Sequence, residues 1–365
     1  MKILIAPNAF KATIEAEEAA GIISDALLEK HPEWETKCLP IADGGDGTCY
    51  LLGKAMGLEA REEWVLDALG RSVKGYYFME SASKTAYLDV STVSGIKYLS
   101  DAERNPKVAS TYGTGQLIKS AIHAGAEQIV LGLGGSASVD LGQGILAALG
   151  FGFLDEKGRE IPLFSDTYMQ RIQHVQRPVQ LAKVRFTCLC DVNNTFWGPE
   201  GAIPVFGPQK GLSEHDITDY EQSCKRVLDL LSKKIQKEVP DRKGFGAAGG
   251  IAYGLAHFFE IQMEMGAEWF FTKVHMHDKV SWADLVITGE GKYDQQSAGG
   301  KGSYELLQLC KKADKPCVLI TSGDGFEGSG FEEVLVLPDL DFSSPGYSEK
   351  AKENLRISVM RGLKI

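Results

Sequence analysis

A short apolar run that ends in glycines and acids and then gives way to a helical pattern occurs at both ends of this chain. That alternation constrains the fold more than any other feature. At the start, Lys2 to Ala6 reads as a strand running into PNAFKA, with Ala19, Ile22, Ile23, Ala26 and Leu27 following at helical spacing. Thr13 stands where a cap would, and Glu15, Glu17 and Glu18 favour the positive end of that helix. A second strand, Lys37 to Ile41, feeds ADGGDGT. Near the other end, ADLVITGEG, PCVLITSG and EEVLVLP repeat the texture. Strand followed by helix, repeated, predicts a parallel α/β layer.

Between the two ends the texture changes. Glu62 to Lys97 reads as antiparallel strands (YYFM and TAYLDV with polar turns), and glycine-rich stretches follow. The expected fold is α/β with two domains. Residues 1–64 plus 276–365 form a Rossmann-like parallel-sheet domain from both chain ends, and residues 65–275 form an inserted glycine-rich α/β domain. A chain of 365 residues is long enough for two domains.

Charge and cysteines narrow the function. The net charge of −10 disfavours phosphate backbones, so nucleic acid is not an expected partner. An anionic substrate then needs a few local cations and backbone N–H groups. No apolar run reaches the roughly 18 residues of a membrane span, and MKILIAPNAF reads as a strand rather than a signal peptide. Seven dispersed cysteines, with Cys188 and Cys190 as the nearest pair, predict buried thiols in a reducing, cytoplasmic setting rather than a zinc site. A homo-oligomer is left open.

Five polar-glycine segments carry the chemistry, each beside a strand, where open α/β sheets place ligands. In PNAFKA, Lys11 is either a phosphate or carboxylate partner or a solvated lysine. In ADGGDGT, Asp43 and Asp46 position Mg²⁺, accept a hydroxyl proton, or form a plain acidic turn. After the strand Gln128 to Leu133, the loop Gly134, Gly135, Ser136, Ala137, Ser138 is a phosphate cradle, and Asp140 is a helix cap or metal-side acid. Asp191 ends the apolar run FTCLCDV beside Asn193 and Asn194, which suits Mg²⁺-phosphate positioning or an Asx turn; Lys210 is a further cation. Finally, Glu290, Asp294 and Lys301 follow DLVIT, but Gln295 stands where a Walker A loop needs glycine.

Gly132, Gly134 and Ala137, with Asp155 about 20 residues on, also fit a dinucleotide fingerprint, which keeps an NAD(P)-dependent hydroxy-acid dehydrogenase as an alternative. His275 and His277 would share one face of a strand, in a surface or packing role. No G-x-S-x-G elbow supports a serine hydrolase.

Taken in order over nearly the whole chain, APNAFKA (6–12), ADGGDGT (42–48), GGSASVDLG (134–142), GPQKG (207–211), GAAGG (246–250) and TGEG running to Lys301 resemble the type-I glycerate kinase family. Asn8, Ala9, Ala12, Asp89, Val139 and Leu141 depart from its pattern. The resemblance implies a two-domain kinase with a cleft, in which ATP with Mg²⁺ phosphorylates glycerate to 2-phosphoglycerate. It implies Asp191 or Asp43 as the acid that orients the hydroxyl, and Lys11 and Lys301 as neutralising cations. Gly134, Gly135, Ser136 and Ser138, with Glu290, Asp294 and Lys301, would hold the cofactor, and Asp46, Asp140 and Asp191 the metal. The departures leave a weakened relative that only binds a hydroxy acid or nucleotide as a further alternative.

Overall fold

The structure is a computed structural model that describes residues 1–10, 13–293, 302–322 and 330–363. Lys11, Asp294 and Lys301 lie outside the described residues. The chain divides into unit 1, Met1–Asp43 with Ala267–Ile365, and unit 2, Gly44–Gly266. Both ends of the chain therefore share a unit, but the divisions fall before the 64/65 and 275/276 expected from sequence. The segment from Gly44 to the first antiparallel strand counts with unit 2 because the helix Thr48–Ala55 packs on strands of that unit.

Unit 1 holds β1 (Lys2–Ile5), β2 (Glu35–Cys38), β11 (Leu285–Glu290), β12 (Cys317–Thr321) and β13 (Glu333–Val336). They form one parallel sheet in the order β13-β12-β11-β1-β2. β1, β11 and β12 are continuous apolar runs because helices cover a parallel sheet on both faces. The helices Ala16–Lys30 and Tyr347–Gly362 pack together and close one core over Ile3, Ile5, Ile287 and Ile320. The first of these helices starts at Ala16 after an uncapped Glu15. Thr13 does not cap it, because its hydroxyl closes a turn onto the Phe10 carbonyl at 2.7 Å.

From β1 the chain moves to β2 on one side, whereas from β11 it moves to β12 and β13 on the other. The order of travel reverses between β1 and β11, and such a switch leaves a crevice at the carboxyl ends of the strands.

Unit 2 contains β3 (Ala60–Leu66), β4 (Ser72–Glu80), β5 (Thr85–Asp89), β6 (Gln128–Gly132), β7 (Gly152–Leu154), β8 (His174–Gln176), β9 (Arg185–Cys190) and β10 (Glu260–Met265). Its main sheet runs β10-β9-β6-β5-β4-β3. β3, β4 and β5 pair antiparallel, as the alternating segment predicts, and β5, β6, β9 and β10 pair parallel. β7 and β8 make a separate antiparallel pair. The helix Tyr112–His123 buries Leu117, Ile118 and Ala121, the face expected from its spacing.

All seven cysteines are free, and all but Cys38 are buried. His275 and His277 do not alternate along a strand. Both are exposed at the start of the helix Met276–Trp282, with His275 in the left-handed region at φ 52°. Among the described residues, no helix is long and apolar enough to cross a membrane.

Candidate active site

In unit 1, the carboxyl ends of β1, β11, β12 and β13 surround a cavity of about 480 Å³. Asn8 enters it just after β1, Glu290 at the end of β11, and Asp43 at the exit from the unit. Asn8 donates its amide to the Asp43 carboxylate at 2.9 Å, while its carbonyl accepts the Ala9 N–H at 2.8 Å. The asparagine that departs from the family pattern thus orients one of the expected acids. Phe10 and Ile14, joined by reciprocal backbone bonds of 2.9 and 3.0 Å, form part of the wall.

In unit 2, a second group collects at the carboxyl ends of β5, β6 and β9. Two glycines allow it. Gly44 has φ +97°, and a Cβ there would lie 2.5 Å from the Cys190 carbonyl at the end of β9. At Gly134 a Cβ would lie 2.1 Å from the Gly45 carbonyl carbon and 2.3 Å from the Asp46 nitrogen. The ADGGDGT loop, the loop after β6 and the start of Asp191 therefore stack backbone on backbone. Asp46 accepts the Ser91 hydroxyl and pairs with Lys97 at 3.0 Å. Neither Ser91 nor Lys97 stands out in the sequence. Asp191 is exposed at the end of β9.

Asp89, also at this edge, accepts the N–H groups of Cys49 and Tyr50 at 3.0 Å each. It fills the anion position at the start of the helix Thr48–Ala55. Burial pushes its carboxyl up to about 6, against the pull of those two donors, and nearby Asp46 adds to the rise.

Beneath the Gly134–Ser138 loop the polar groups turn inward. Ser136 and Ser138 are 4% and 0% exposed. The Lys210 ammonium position is fully enclosed, and its Nζ donates to the Ser136 hydroxyl and the Ser138 carbonyl, both at 2.7 Å. Burial pulls the Lys210 amine down to about 7, and Asp140 opposes that pull. Asp140 itself accepts the Thr111 N–H and hydroxyl at 2.8 Å, the N–H groups of Gly142 and Gly144 at 3.2 Å, and the Ser138 hydroxyl at 3.3 Å. Its carboxyl is raised by burial, which those donors counter. Ser136, Ser138 and Asp140 thus brace the loop from inside. Among the described residues, no three His, Cys, Asp or Glu side chains group closely enough to hold a metal ion.

The dinucleotide fingerprint does not survive its surroundings. The helix after β6 starts only at Gln143, and Asp155 closes its own turn by accepting the N–H groups of Lys157 and Arg159 at 2.9 Å.

The model of the Glycerate kinase family matches residues 3–361. The Glycerate kinase of Bacillus subtilis (strain 168) is 35% identical over 320 residues, which are 87% of this chain and 84% of that protein. The Glycerate 2-kinase of Escherichia coli (strain K12) is 33% identical over 340 residues, 92% of this chain and 87% of the other. A solved structure put forward as glycerate kinase 2 from Salmonella typhimurium LT2 superposes with a TM-score of 0.82 at 31% identity, covering 99% of this chain and 96% of that one. With a family match over nearly its whole length and relatives at these identities, this chain belongs to the glycerate kinase family.

Proposed function

We propose that this chain transfers the γ-phosphate of ATP to D-glycerate, giving 2-phosphoglycerate and ADP. The observation that carries the reading is the backbone stacking of Gly44, Gly134 and Asp191, which brings an acid and two glycine turns to one sheet edge. Phosphoryl transfer asks the protein mainly to position its reactants and to neutralise charge.

Asp191 orients the acceptor hydroxyl and takes its proton as the bond to phosphorus forms. Mg²⁺ enters on the triphosphate as part of the substrate, and such an ion needs only one or two protein carboxylates. Asp46, steadied by Ser91 and Lys97, suits that role. Asp140 is a brace rather than a metal ligand, because five protein donors already meet its two oxygens. Gly134 and Gly135 bring backbone close to the phosphates, while Ser136 and Ser138 act through the shape of the loop. Asp43 and Glu290 serve the cavity of unit 1, and Lys11, Asp294 and Lys301 keep the phosphate-side roles that the family pattern implies.

The test supplies purified protein with ATP, Mg²⁺ and D-glycerate and follows ADP formation, with enolase added to detect 2-phosphoglycerate. Glycerate-dependent ADP together with enolase turnover is the expected result. Binding without turnover would favour a sensor, and an absorbance change with a nicotinamide nucleotide would favour a dehydrogenase.

A further inference from the structure

The cavity of unit 1 is polar around the central strands, while its outer end mixes apolar side chains with one acid. Asn8, Asp43 and Glu290 belong to the centre of the sheet, around β1 and β11. Leu337, Asp339, Leu340 and Phe342 follow β13, at the sheet edge. Three strand spacings separate β1 from β13, about 14 Å. That distance suits a nucleoside with its first phosphates rather than a three-carbon acid. The volume of about 480 Å³ also exceeds what glycerate fills and lies in the range of sites for larger ligands.

Phe10 and Ile14, which follow β1, also line the cavity, though each is only 3% exposed, and Ala351 presents a small side chain from the helix Tyr347–Gly362. Phe342 is 60% exposed and meets the Tyr347 ring, with centroids 5.5 Å apart.

Asn354 supplies the specific contact. It lies on the buried stripe of the same helix, beside Ala351, Leu355 and Val359, and is 8% exposed. Its carboxamide lines the cavity and makes no hydrogen bond to any described residue. An amide offers a donor beside an acceptor, the complement of the adenine edge at N6 and its neighbouring ring nitrogen.

We propose that this cavity seats the adenine ring of the nucleotide and that Asn354 pairs with its edge, making Asn354 a specificity-determining residue. The inference rests on the reading of the chain as an ATP-dependent kinase. Oδ1 accepts from the exocyclic amine and Nδ2 donates to the ring nitrogen, while the apolar walls hold the base faces.

The test compares the full chain with Asn354→Leu and Asn354→Asp variants. Asn354→Leu removes both bonds at nearly constant volume and is expected to raise KM for ATP about tenfold or more. KM for glycerate should stay within about twofold, which a general loss of structure would not allow. Asn354→Asp presents acceptors only, which suit the two donor groups of guanine, so the ratio of GTP to ATP turnover should rise. A third measurement needs no variant. Wild-type protein irradiated with 8-azido-ADP should carry the label on peptides spanning Leu337–Leu355, with adenosine suppressing it. Unchanged ATP KM in Asn354→Leu, or labelling elsewhere, would overturn the proposal. Wild-type protein that turns over no nucleotide but is labelled at this site would sink the kinase reading and leave the base site standing.

Discussion

Replacing Lys210 by methionine should leave stability nearly unchanged at pH 7 and lower it clearly at pH 9. In the folded unit the amine is held near 7, whereas its ordinary value is 10.5. Between those values the unfolded chain binds the proton and the folded chain does not, so this residue makes the fold more stable as pH rises. At pH 7 the mismatch costs the wild type about 4 kcal/mol, and at pH 9 about 2 kcal/mol. Methionine removes that penalty. It also strands the Ser136 hydroxyl and the Ser138 carbonyl, at about 1–3 kcal/mol each. The two effects nearly cancel at pH 7, and the loss of the bonds dominates at pH 9. Urea midpoints for both proteins at both pH values provide the measurement. The stability difference should grow by about 2 kcal/mol from pH 7 to pH 9. Parallel pH profiles for the two proteins would show that Lys210 stays charged, and the account of the loop's support would fail.

Asp191→Asn should lower kcat by a factor of about 100 to 10,000, the range for a lost proton acceptor, with less effect on binding; steady-state kinetics at saturating ATP and glycerate decide it, and a near-normal rate would remove Asp191 from the mechanism. Gly134→Ala puts a methyl into the backbone at Gly45 and Asp46, so thermal unfolding should report a loss of about 3 kcal/mol or more along with reduced turnover. Asp89 holds its proton up to about 6 when folded, against 3.8 ordinarily, so it stabilises the fold at low pH and that contribution fades as pH rises through 6. Urea midpoints at pH 4 and pH 7 should therefore show a loss of about 2 kcal/mol in the wild type that Asp89→Asn lacks.

Periodicity made the strands legible, because β1, β6, β9 and β11 are apolar runs bounded by glycine or acid. The alternating segment gave away the antiparallel pairs for the same reason. What the linear pattern hides is the direction in which a polar side chain points. Ser136, Ser138 and Asp140 have the composition of a phosphate or metal site, yet Lys210, some 70 positions on, meets the two serines' loop from inside. Only the packing of GPQKG against that loop decides the matter. Asp155 has the spacing of a ribose partner, and its own tight turn accounts for it. Lys97 and Ser91 give no local signal, since their roles come from the approach of Asp46 in space. Asn354 did leave one, a lone polar residue inside the apolar stripe Ala351, Leu355, Val359. A helix face interrupted in that way deserves a search for what the amide meets.

The position of β1 between β2 and β11 governs how the molecule is made. When the ribosome has released β1 and β2, the strand that must pair with β1 on its other edge has yet to be translated, more than 240 residues away. Residues 44–266 complete a contiguous sheet first and can fold as they emerge. The opening strands meanwhile wait as an exposed apolar edge, open to mispairing or to capture by chaperones, until nearly the last quarter of the chain arrives.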